Sequence, residues 1–132
     1  MPRIKTAITA ALILLVLLAS LTGPTAASAS TTHYSCAQLG RLWLRIGGRR
    51  AAERIAEAVA MAESGGYRYA RDRDANGTVD RGLWQINSIH GHWSSYNART
   101  NARGARAISG NGRNWRPWVT YDTGAFRHHC GA

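Results

Sequence analysis

Lysine is almost missing from this sequence: Lys5 is the only one among 17 cationic residues, and arginine supplies the rest. Acid is scarce as well, with seven Asp and Glu, so the formal net charge is +10. An excess of that size draws a protein toward polyanions such as an anionic envelope, nucleic acid or acidic lipid, although it also serves solubility alone. There are two cysteines and no CxxC pattern, which removes the usual zinc-ribbon and dithiol redox frameworks. No apolar stretch reaches the roughly 20 residues that a membrane span requires. Internal repeats, long linkers and nucleic-acid-binding motifs are all missing, which argues against specific nucleic-acid recognition.

The longest apolar stretch lies near the start. Arg3 and Lys5 precede an apolar core from Ala11 to Leu18, and Ala27-Ser28-Ala29 has the small-x-small form of a cleavage site. Residues 1–29 therefore read as a secretory signal, and removing it leaves no membrane anchor. Residues 30–132 are expected to form one domain, large enough for a modest core. That domain keeps 15 arginines against 7 acids, a net charge of +8.

Cys36 and Cys130 both survive signal removal. In an exported protein the default for two cysteines is a disulfide, here tying the start of the domain to its end. His128 and His129 precede Cys130, but only His33 lies near Cys36, so a shared metal site is a poor alternative and no metal or cofactor is expected.

Helical periodicity is clearest in the first half of the domain. Leu39, Leu42, Trp43 and Ile46 recur at helical spacing over Cys36–Ile46, and Gly47-Gly48 ends the run. A second helix is expected from Arg50 to Ser64, with Ala52, Ile55, Ala56, Val59, Ala60 and Glu63 on one stripe and Gly65-Gly66 as its stop. Asn76-Gly77 signals a hairpin turn, with Thr78 to Arg81 on its return strand. Gly82–Asn87 is too short to assign. Ser88–Tyr96 reads as loop, Asn97–Ile108 as helix, Gly110–Pro117 as loop, and Tyr121–His129 as a last short helix. The sum is an α+β domain, mostly α, with a small antiparallel hairpin.

Two carboxylates stand on different elements across that loop, Glu63 at the end of the second helix and Asp80 on the return strand. Glu63 shares the apolar stripe of its helix and sits at the C-terminal end, where the backbone dipole disfavours negative charge. Burial and dipole together raise a carboxyl pKa, and a protonated carboxyl near neutral pH is what a general acid requires. The plainer alternative is a Glu63 that bends outward and solvates the helix end. Asp80 opens an apolar run; it is placed either to stay ionised beside a developing cation or to serve as an ordinary turn aspartate. Asp72, Asp74, Asn76, Gly77 and Asp80 also match the first part of a calcium loop, but Leu83 stands where the closing acid belongs.

These residues resemble the lysozyme-like superfamily. Ala-Met-Ala-Glu-Ser-Gly-Gly, ending at Gly66, is similar to the catalytic-Glu motif of soluble lytic transglycosylase-like domains. Asp80-Arg81-Gly82-Leu83-Trp84-Gln85-Ile86-Asn87-Ser88 is similar to the D-x-G-x-x-Q-I-N-S signature of animal-type lysozymes, and the Glu63–Asp80 interval matches theirs. Gly110-Asn111-Gly112-Arg113-Asn114-Trp115-Arg116-Pro117-Trp118 resembles their late G-N-G-x-N segment. The resemblance spans about Cys36 to Cys130 and implies a lysozyme-like fold with a substrate cleft. It implies Glu63 as acid, Asp80 as partner, Trp115 against the acid and Trp118 behind it. Lysozyme is also the standard case of split carboxyl pKa values and of retaining glycoside cleavage, and the roles given to Glu63 and Asp80 lean on that precedent. The departures are a single cysteine pair where animal-type lysozymes carry several, and Ile89-His90-Gly91-His92-Trp93 in place of their paired tryptophans.

Glycan clefts pair aromatic faces with amides. Gln85, Asn87, Trp93, Asn114, Trp115, Trp118 and Tyr121 are the candidate substrate contacts, whereas Trp43 and Trp84 fall in apolar patterns and are assigned to the core. The leading expectation is a secreted, monomeric enzyme, extracellular or bound to the cell wall. It would cleave peptidoglycan between N-acetylmuramic acid and N-acetylglucosamine, as a muramidase or a lytic transglycosylase. A non-catalytic glycan-binding module on the same fold is the alternative. A cationic protein for nucleic acid or anionic membrane ranks last.

Overall fold

The computed structural model describes residues 31–132, so the expected signal at 1–29 lies outside the described residues. The first helix, α1 (Cys36–Arg45), starts at a capping box in which Gln38 N–H donates to Ser35 Oγ and Ser35 N–H donates to Gln38 Oε1. Leu39, Leu42 and Trp43 point into the core, and the Trp43 indole N–H donates to Arg49 O at 2.9 Å. A 3-10 turn at Arg50–Ala52 then leads into α2 (Glu53–Ser64). The expected single helix from Arg50 thus begins with a tighter turn, because no side chain caps it.

Helix α2 is the central element. It packs against α1 on one side and against the C-terminal helices on another. Ala56, Ala58, Val59 and Ala60 are all buried, so its covered surface is wider than one stripe, and small side chains let its neighbours approach closely. Its C-terminus turns on Gly65, in the left-handed conformation with φ 61°. Gly66 follows at φ 76°, its backbone pressed against Tyr34 so closely that a Cβ would collide with Tyr34 O. Only glycine fits there.

The sheet has three strands: β1 (Arg71–Arg73), β2 (Val79–Arg81) and β3 (Ile86–Asn87), antiparallel and in that order. The register sets Arg71 opposite Arg81 and Asp72 opposite Asp80, then Asp80 opposite Asn87. The hairpin anticipated at Asn76-Gly77 is therefore extended by a two-residue strand, too short for any sequence pattern to announce. Residues Ser88–Trp93, expected as loop, form a 3-10 segment broken at Gly91. Helix α3 (Ala98–Ile108) is capped by Asn97, whose Oδ1 accepts from Thr100 N–H. The expected terminal helix over Tyr121–His129 is split by Gly124 into α4 (Val119–Asp122) and a 3-10 turn at Ala125–His128.

The core is built on Trp43, Trp84 and Trp115 with Leu39, Leu83, Ile86 and Val59. Each large side chain so buried contributes about 1.5–3 kcal/mol. Cys36 and Cys130 form the disulfide, with Cα atoms 5.5 Å apart, and it closes a span of 94 residues. Among the described residues no helix is long and apolar enough to cross a membrane.

Candidate active-site cleft

A cleft of about 370 Å³ opens between the sheet and the segment leading into α4. Its walls include Glu63 from the end of α2, Asp80 from β2, Gln85 and Asn87 from the turn and strand that follow, and Trp118, Val119 and Thr120 from the far side.

Glu63 is half-buried at the end of α2, not swung out into solvent. Thr120 Oγ1 donates to Glu63 Oε1 at 2.6 Å. Burial pushes its carboxyl above the ordinary range, and the Asp80 charge pushes the same way, while the Thr120 hydrogen bond pulls back. The loop beyond Glu63 is fixed by Ser64, whose hydroxyl donates to Ala60 O and accepts from Gly66 N–H.

Asp80 also has a raised carboxyl pKa. Burial is the main cause, and Asp74 and Asp72 add to it; the Asn87 amide and His90 act in the opposite sense. Burial thus works against the ionised state expected for a partner beside a developing cation. One carboxyl oxygen, Oδ1, is buried without a hydrogen-bond partner. An orphaned acceptor of that kind in a cleft wall is placed to receive a hydroxyl or face a positive centre.

The calcium-loop pattern has another use here. Asp74 Oδ2 accepts from Thr78 Oγ1 at 2.7 Å and from Asn87 Nδ2 at 2.8 Å, while Asn76 Oδ1 accepts from Thr78 N–H. Two of the oxygens a cation would draw on, Asp74 Oδ2 and Asn76 Oδ1, are taken up by the hairpin's own hydrogen bonds. Among the described residues no cluster of three or more His, Cys, Asp and Glu could hold a metal ion.

Asn87 lines the cleft; its amide donates to Asp74 and Thr78 and also acts on Asp80, and its Oδ1 accepts from Ile89 N–H. Gln85 lines it too, held in the left-handed region at φ 42° with Nε2 donating to Gly82 O. Of the aromatic candidates, only Trp118 reaches the wall, and its indole N–H donates to Trp84 O at 2.8 Å. The resemblance implies Trp115 against the acid and Trp118 behind it; of the two, Trp118 is the one that shares the cleft lining with Glu63. Trp115 is buried between Trp43 and Trp118, with ring centroids at 5.4 and 5.1 Å, and does not line the cleft. Trp93 is packed over Gly104 of α3, where an added Cβ would overlap the Trp93 Cβ, so it is a packing residue outside the cleft. Asn114 is exposed in a turn, its Oδ1 accepting from Arg116 N–H, and Tyr121 stacks on Phe126 at 4.7 Å; neither lines the cleft.

The structure adds residues that the sequence did not single out. Thr120 holds the Glu63 carboxyl. Ile89 and Val119 line the cleft while 74 % and 73 % exposed, apolar side chains without cover. Asn101, fully buried on α3, accepts from Trp84 N–H at 2.8 Å and donates to Arg81 O at 2.8 Å and Trp93 O at 3.2 Å. It fixes the turn between Asp80 and Gln85 from behind. Its signal was present in the sequence as a polar residue among Ala98, Ala102 and Ala105 on the apolar edge of the helix.

A family model for the lysozyme-like domain matches residues 41–120, which include both carboxylates, the sheet and the start of α4. No curated protein matches the chain.

Proposed function

Because the chain belongs to the lysozyme-like domain family, we propose that it cleaves the β-1,4 bond between N-acetylmuramic acid and N-acetylglucosamine in peptidoglycan, with Glu63 as the general acid. The observation that carries this proposal is the Glu63 carboxyl itself: half-buried, raised in pKa by burial, oriented by Thr120, and set in a cleft wall that also holds Asp80. A carboxyl whose pKa is raised by burial holds its proton to higher pH than a free one and can give it to the glycosidic oxygen as the bond breaks.

Asp80 is the proposed partner. Its unpaired Oδ1 supports a role in stabilising or trapping the anomeric centre once the leaving sugar departs. If the substrate's own 6-hydroxyl makes that attack first, the product is an anhydro sugar and Asp80 stabilises charge only. Gln85, the edge of Trp118, and the aliphatic Ile89 and Val119 are the substrate contacts the cleft offers. The backbone around Asn87 completes that wall. Secretion follows from the signal-like residues 1–29, and it agrees with the disulfide.

The test is digestion of purified peptidoglycan across acid to neutral pH, with mass analysis of the fragments. New reducing ends identify hydrolysis, and 1,6-anhydro ends identify transglycosylation. Glu63→Gln should abolish either while leaving glycan binding intact. A wild-type protein that binds the polymer and never cuts it would be a binding module and would end this proposal.

A further inference from the structure

A row of aromatic rings runs along the surface outside the cleft. His33 stacks on Tyr67 at 4.8 Å; Tyr67 meets Tyr69 edge-on at 5.9 Å; Tyr69 meets Tyr96 at 5.9 Å. None of the four lines the cleft. Tyr67 is 37 % and Tyr69 43 % exposed, the only large apolar residues so exposed among those described apart from Ile89 and Val119 in the cleft wall. The row is set on rigid backbone. His33 and Tyr67 form a β-bridge, Arg68 N–H donates to Thr32 O, and Arg68 Nε donates to Tyr96 O at 3.2 Å.

The row is also cationic. The Arg68 guanidinium lies 4.7 Å from the Tyr69 ring centroid. Next along the chain comes Arg71, exposed on the edge strand β1 and directly opposite Arg81 in the register. Like charges placed opposite each other across two strands weaken the pairing, and neither arginine has a carboxylate partner among the ion pairs of the described residues. Positive charge on an edge strand does guard against unwanted strand pairing. That role does not account for the exposed rings beside it.

We propose that this row, His33, Tyr67, Tyr69 and Tyr96 with Arg68 and Arg71, is a second binding surface for N-acetylated, carboxylate-bearing glycan. It would hold a stretch of wall polymer while another stretch occupies the cleft. The inference rests on the proposed substrate class. Ring faces and edges suit the C–H surfaces of pyranoses, and guanidinium groups suit the carboxylates of lactyl and peptide substituents. The net charge of the domain attracts the same polymer from a distance. Two weak surfaces on one long polymer multiply in effect, because the second contact becomes intramolecular.

The experiment uses the Glu63→Gln background, so that binding is read without turnover. Retention on insoluble peptidoglycan is compared for that protein, for the same protein with Tyr69→Ala, and for the same protein with Arg71→Glu. Both positions are exposed, and thermal melting checks that the fold is kept. The proposal expects about a tenfold loss of retention for each variant, the fold-change of one well-used contact, with binding of a short soluble glycan fragment unchanged. Unchanged retention in both folded variants would overturn it. So would loss of duplex DNA binding with glycan retention intact, which would assign the row to nucleic acid. Row-dependent retention by a wild-type protein that never cuts glycan would instead refute the catalytic proposal and leave this surface standing.

Discussion

Replacing Asn101 with alanine isolates how the cleft is supported from behind. The side chain is fully buried and makes three hydrogen bonds to backbone, two at the β2–β3 turn and one to Trp93 O at the end of the 3-10 segment. Truncation leaves Trp84 N–H without a partner in the core and strips one donor each from Arg81 O and Trp93 O. A buried polar group left unsatisfied costs about 1–3 kcal/mol, and carbonyls, having two lone pairs, sit at the low end. The expected loss is about 3–5 kcal/mol, a large fraction of the 5–15 kcal/mol typical of a domain. Urea unfolding followed by tryptophan fluorescence measures it. With a denaturant slope of about 2 kcal/mol per molar, the midpoint should fall by about 2 M. Asn101→Asp refines the test: it keeps the acceptor for Trp84 N–H but sets a carboxylate against two carbonyl oxygens. That variant should be weakest at neutral pH and recover on acidification, when the protonated acid can donate. A loss for Asn101→Ala under about 1 kcal/mol would refute the reasoning, because that is no more than one ordinary hydrogen bond is worth.

Glu63→Gln should raise stability at neutral pH while removing activity. A buried carboxyl with a raised pKa binds its proton more tightly when folded, so ionisation weakens the native state as pH climbs through that raised pKa. Melting curves of the two proteins should therefore converge below the ordinary carboxylate range. Thr120→Val removes a hydrogen bond that favours the charged form, so the alkaline limb of the pH–activity profile should move to higher pH. Reducing Cys36–Cys130, or replacing both with serine, should cost about 4–5 kcal/mol in the chain-entropy account of a loop this long, read as a lower melting temperature. Ile89→Ser with Val119→Ser should raise KM on peptidoglycan with little change in kcat, since both side chains are exposed in the cleft wall and neither carries a group that can move a proton.

What could be read from the sequence was what local physics decides. The stripe through Val59 and Ala60, the glycine pair at Gly65-Gly66 and the turn at Asn76-Gly77 each carry their own period or dihedral demand. Glu63 was conspicuous because a carboxylate on an apolar stripe at a helix end violates two local preferences at once. Strand β3 and the 3-10 segments left no such trace, since two to six residues hold their shape through contacts elsewhere in the chain. Trp115 and Trp118 lie in a stretch without period. Which ring faces the cleft is decided by a hydrogen bond from Trp118 to Trp84 O and by the tilted packing of Trp115 on Trp43, both long-range. Trp93 looked available because the residue that receives it, Gly104, carries no side chain to signal the contact. Thr120 is ordinary in sequence and acquires its importance only when α4 brings it to Glu63.

The indole of Trp118 has a mechanical consequence. It belongs to the wall that carries Thr120, yet its N–H is bonded to Trp84 O in the turn that carries Gln85 on the opposing wall. The two jaws of the cleft are thus one truss, with that ring as the strut. Widening the gap between them would cost that buried bond, about 1–3 kcal/mol, so the fold itself favours one width of cleft before anything enters it.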